Sequence, residues 1–137
     1  MHAAARVLEE SRDRVDAFRD RLGGELSVAE RESCEALTSR FARLNDFLLQ
    51  RIFRTIDQIE LIDEGTAIDR LQRAERRGLI PSAHRWRELR LLRHAITHDY
   101  LIESADTVLA DALSAAPELV AAVECIARYV ADKGYVD

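Results

Sequence analysis

From Val28 to Asp63 the chain runs without a glycine or a proline. Along that run Leu37, Phe41, Leu44, Leu48, Ile52, Ile56 and Ile59 recur at intervals of three and four. This spacing brings apolar side chains to one stripe of a helix with 3.6 residues per turn. The run therefore predicts one helix long enough to span a domain, and bent where it must follow a core. Ser27-Val28-Ala29-Glu30 opens it as a capping box, with Ser27 bonding forward and Glu30 reaching back. Gly65 is the expected stop.

The flanking segments read the same way. Val7, Leu8, Val15, Phe18 and Leu22 make the stripe of a first helix over about 3–22, closed by Gly23-Gly24. Thr66-Ala67-Ile68-Asp69 begins a short helix that Gly78 closes. Leu79-Ile80-Pro81-Ser82 is a turn, and Ser82 caps a helix that carries Trp86, Leu89, Leu92 and Ile96 inward and ends near His98 to Ile102. Ser104 is a further N-cap candidate for a last helical region reaching about Lys133. Pro117 is expected to break or kink that region, because its ring clashes with the preceding turn, or to open a separate helix. The expectation is an all-α bundle of four main helices plus a short extra one, in a single domain over 1–137.

Composition supports that class, since Leu, Ala, Arg and Glu all favour helix while glycine and proline number five and two. Cys34 and Cys125 are too few for a disulfide framework and lie among apolar neighbours, as buried free thiols do. No apolar run approaches the roughly 20 residues of a membrane span. The N-terminal MHAAARVLEESRDR lacks the apolar core of a signal peptide. These features point to a cytoplasmic chain with no membrane partner.

The net charge of −5 argues against nucleic-acid binding over the whole surface. The charge is uneven, however. Between Gly65 and Tyr100, eight arginines stand against four acids, a local charge of +4 that leaves −9 elsewhere. Arginine's planar fork suits phosphate. For most of these arginines, pairing with acids on a solvated helix face is the better reading.

That basic run ends in Arg93-His94-Ala95-Ile96-Thr97-His98-Asp99-Tyr100. His94 and His98 are four apart and share a helix face, as do Arg93 and Tyr100 at seven. Arg93 and His98 are five apart, about 140° around the helix at roughly 100° per residue. They meet only at a helix end, through arginine's reach, or in a cleft between subunits. A zinc site is disfavoured: the histidine pair has no glutamate between its members, and His2 and His84 have no ligand spacing to it. No strained nucleophile elbow and no glycine-rich phosphate loop is present. A histidine that moves protons and an arginine that holds phosphate suffice in principle for RNA cleavage without a metal. A helix end that bonds to backbone is the plainer alternative.

RHAITHDY resembles the Arg-x4-His-x-Tyr signature of HepT-like proteins of the HEPN superfamily. The order of the preceding segments agrees: a long amphipathic helix (SRFARLNDFLLQRIFRTID), a short helix, the GLIPS turn, then HRWRELRLLRH. The resemblance spans roughly residues 28–102. It implies an antiparallel HEPN-type helical bundle that forms a homodimer, with two copies of the motif facing one cleft. It implies a toxin that is a metal-independent endoribonuclease, with no cofactor and no DNA partner. In that scheme Arg93 contacts the scissile phosphate, His98 is the general acid/base, and His94 is the supporting polar residue. Tyr100 matches the tyrosine that a minimal nucleotidyltransferase antitoxin modifies with AMP. Arg87 and Arg90, with Arg85 behind them, are candidates for flanking RNA contacts. The alternative within the family is a non-catalytic nucleotide- or partner-binding subunit of a nucleotidyltransferase complex.

Overall fold

The structure, a computed structural model, describes residues 1–98 and 105–135. Among the described residues every regular element is a helix. Helix α1 (His2–Asp16) is followed by a 3₁₀ turn at Arg19–Arg21. Helix α2 (Val28–Phe47) runs through a π-helical turn (Leu48–Ile52) into α3 (Phe53–Ile59). Then come α4 (Ala67–Arg76), α5 (Ala83–Thr97) and α6 (Ala105–Lys133). Helix α2 packs against α1, α5 and α6, and α4 closes over α5 and the end of the long helix. One core joins Leu8 and Val15, Phe41 and Leu44, Phe53, Leu71, Trp86 and Leu119 from these elements.

The caps lie where the sequence placed them. Glu30 N donates to Ser27 Oγ at 3.1 Å and Ser27 N donates to Glu30 Oε1 at 2.9 Å. Thr66 and Asp69 repeat the box on α4, and Ser82 Oγ accepts from Arg85 N at 3.1 Å on α5. Each satisfies amides that the first turn leaves unbonded and contributes about 1 kcal/mol.

Several boundaries differ from the sequence reading, each for a physical reason. The first helix stops at Asp16, so Phe18 reaches the core from the 3₁₀ connection. The long helix keeps its expected stripe through Leu48 and then changes phase. A π turn takes one residue more than an α turn, so Leu49 and Phe53 turn inward, while Ile56 stays buried as the spacing predicts. Ile52 becomes half-buried and Ile59 is 48 % exposed. Phe53, now inward, meets Trp86 with ring centroids 5.8 Å apart.

The helix ends before Gly65, at Ile59, and Leu61 just past its C-cap holds a left-handed φ of 64°. Ile62 N donates to Asp57 O at 2.8 Å, the closing bond of a Schellman turn. Pro117 neither breaks the last helix nor starts a new one; α6 is continuous through it, with the proline ring on the exposed side. Ser104 lies outside the described residues. Cys34 and Cys125 are free and half-buried. No helix among the described residues is long and apolar enough to cross a membrane.

Candidate functional site

Once Ser82 fixes the start of α5, the helical period assigns its faces. Trp86 and Leu89 turn into the core, while Arg87, Arg90, Leu91 and His94 face outward. Across from them the end of α2 and the π turn present Asn45, Asp46, Leu49 and Gln50. Between these walls lies a cleft of about 460 Å³, and Ile68 of α4 borders it. Arg87, Arg90, Arg93 and His94, four of the residues singled out in the sequence, line this one cleft.

Arg93 is not loose in it. Its Nε lies 2.5 Å from Asp46 Oδ1, and its Nη2 donates to Asp46 Oδ2 at 2.7 Å. The carboxylate thus faces the side edge of the guanidinium, hydrogen-bonded through Nη2 and in ion-pair contact at Nε. Its hydrogen bond and its charge raise the Arg93 pKa, so the arginine is a fixed cation. Among the described residues, Nη1 on the end edge donates only to the Thr97 hydroxyl, at 3.3 Å. Arginine carries five donors, so the end edge can receive an oxyanion while Asp46 holds the side edge.

His94 and His98 project from successive turns, and their rings lie 4.0 Å apart with 43° between planes. Both are exposed, with His98 at the C-cap position of α5. Among the described residues no third donor joins them in a metal-ligating group. Tyr100 and Asp99 lie outside the described residues.

The remaining arginines of the basic run divide clearly. Arg73 donates to both oxygens of Asp57, at 3.0 and 2.8 Å, and Arg77 donates to Asp57 at 2.6 Å and Glu60 at 3.1 Å. Arg70 Nε is 3.9 Å from Asp57. Arg85, expected behind the RNA-contact candidates, is instead clamped by Glu118 of α6 at 2.7–3.2 Å and by Glu88. Its role is to tie α5 to α6. Among the described residues, Arg87 and Arg90 have no acid in ion-pair range. They are exposed and line the cleft. The structure therefore separates arginines that hold the bundle together from three without an acid partner among the described residues, the exposed Arg76 of α4 and the two that line the cleft.

Asp46, Asn45 and Gln50 were missed in the sequence. Asp46 did leave a signal, being the sole acid between Glu35 and Asp57, amid Arg40, Arg43, Arg51 and Arg54. Asn45 and Gln50 left none, because the π turn that presents this wall depends on packing. No family model, no curated protein and no solved structure matches the chain.

Proposed function

We propose that the chain is a HEPN-type, metal-independent endoribonuclease and the toxin of a pair with a minimal nucleotidyltransferase. The observation that carries the reading is the cleft, where two uncommitted arginines, the oriented Arg93 and the motif histidine His94 converge.

In this reading the ribose 2′-oxygen attacks its own phosphorus and the P–O5′ bond breaks. The products are a 2′,3′-cyclic phosphate and a 5′-hydroxyl. His98 takes the proton of the 2′-hydroxyl or returns one to the 5′-oxygen. Arg93, with its end edge outward, neutralises the charge that grows on the phosphoryl oxygens. Two copies of the chain facing each other supply an acid and a base at once, so the working unit is a homodimer. The antitoxin transfers AMP from ATP: the Tyr100 oxygen attacks the α-phosphorus and pyrophosphate leaves. The adduct adds bulk and negative charge beside cations meant for RNA.

Purified protein in EDTA should cut RNA and leave 2′,3′-cyclic phosphate ends. His98→Ala should abolish cutting with the helical circular dichroism unchanged. Cutting that survives this substitution, or that needs a divalent metal, refutes the mechanism. Co-expression with the nucleotidyltransferase should add one or more adenylate-sized increments to the intact mass, lost in Tyr100→Phe. The second reading, a non-catalytic nucleotide- or partner-binding subunit, draws support from the commitment of Arg93 to Asp46 within one chain. It predicts co-purification with the nucleotidyltransferase and no cutting by the unsubstituted protein under any condition.

A further inference from the structure

Three features of the cleft remain beyond the cleavage chemistry. Arg87 and Arg90 are cations without acids, although every other arginine of α5 has one: Arg85 has Glu118 and Arg93 has Asp46. Leu91, next to Arg90 in sequence, is 70 % exposed and forms an apolar wall of the cleft with Leu49 and Ile68. Asn45 lines the same cleft at 1 % exposure, and its Nδ2 has no hydrogen-bond partner. Buried amide donors are nearly always paired. One left over in a cleft wall, beside the exposed Gln50 amide, is a donor suited to a group from outside the protein. Cations, an apolar wall and amides together match phosphate, base face and base edge. The cleft volume of about 460 Å³ lies in the range of small-molecule sites.

We infer that this cleft is a nucleotide subsite within one subunit. Arg87 and Arg90 hold a phosphodiester adjoining the one that Arg93 faces, the base lies against Leu91 and Ile68, and the Gln50 and Asn45 amides read its edge. The inference rests on the ribonuclease reading and adds where the strand lies and what selects it. Arg87, Arg90 and Arg93 follow one another at about 4.5 Å along the helix axis. A row of cations suits the repeated charges of a strand better than the single charge cluster of free AMP. An amide offers a donor beside an acceptor, so it favours some base edges over others.

The test uses the full chain carrying His98→Ala, in EDTA, with fluorescein-labelled ten-residue oligo(A), oligo(C) and oligo(U) and with unlabelled AMP as competitor. Arg87→Ala/Arg90→Ala should weaken RNA binding at least tenfold. It should also make the slope of log K against log salt shallower by about 0.7, the value for the one phosphate contact the pair makes on a single strand. Gln50→Leu should narrow the spread of affinities among the three oligomers and leave the salt slope unchanged. Unaltered affinity and slope in the double arginine variant overturn the subsite. AMP competing as strongly as the oligomers overturns the strand and makes free nucleotide the ligand. Failure of the ribonuclease reading shows separately, as an absence of cutting by the unsubstituted chain while these binding differences persist.

Discussion

Asp57→Asn probes the part of the basic run that the structure assigns to stability. Asp57 is 3 % exposed and receives Arg73 on both oxygens and Arg77 on one. Asparagine keeps the volume and one accepting oxygen but removes the charge. The Arg73 and Arg77 side chains, 14 % and 9 % exposed, then keep that one neutral oxygen, the Glu64 carbonyl and the Glu60 carboxylate. Removing one partner of a buried pair costs about 3–5 kcal/mol, and the remaining bonds place the loss near the lower end. With about 2.1 cal/mol/K per residue over 137 residues, a loss of about 3 kcal/mol lowers Tm by about 10 °C.

The pH dependence adds an independent check. Burial pushes the Asp57 pKa up, but the hydrogen bonds and charges of Arg73 and Arg77 outweigh it, so the carboxyl sits below its ordinary value. A depressed folded pKa gives stability that is present above the unfolded value of about 3.9 and lost as pH falls through the folded value. Urea unfolding of both proteins from pH 7 to pH 2 should show a gap that is constant to about pH 4 and then closes. A gap under about 1 kcal/mol at pH 7, or one that stays open at pH 2, refutes the assignment of Asp57 as the hub that α4 closes upon.

At the alkaline end, burial and the bond to Glu60 push Tyr129 up to about 12. Its stabilising effect is therefore full below the unfolded value of about 10 and lost between pH 10 and 12, a slope that Tyr129→Phe should remove from alkaline unfolding curves. Leu61 holds a left-handed backbone while 92 % exposed. Leu61→Gly should raise the urea midpoint at unchanged m, a gain of about 0.5–1 kcal/mol, because glycine lacks the steric cost but starts from a freer unfolded chain. Trp86 is fully buried against Phe53 and its indole N–H has no partner. Trp86→Phe should therefore cost about 1–2 kcal/mol in chemical denaturation, against about 3–5 kcal/mol for Trp86→Ala, since truncation leaves a cavity.

Much of the fold was written locally. The apolar spacing from Leu37 to Leu48 identified the central helix, and Ser27, Thr66 and Ser82 marked three helix starts. Caps act within three residues and amphipathic stripes within a few turns, so both are legible without knowing the neighbours. The uneven charge and the cluster Arg93, His94, His98, with Arg87 and Arg90 before it, were equally plain.

What lay beyond the sequence depended on contacts between distant residues. The π turn at Leu48–Ile52 is set by the core it must meet, and it decided that Phe53 rather than Ile52 packs on Trp86. The same shift built the cleft wall of Leu49 and Gln50 that faces α5. Pro117 stayed in a continuous helix because its neighbours Ala115, Ala116 and Leu119 are packed on that helix's buried side. Above all, eight arginines look alike in one dimension. Only packing could assign Arg73 and Arg77 to Asp57, Arg85 to Glu118 and Arg93 to Asp46, because an ion pair forms where tertiary structure brings residues tens of positions apart within a few ångströms.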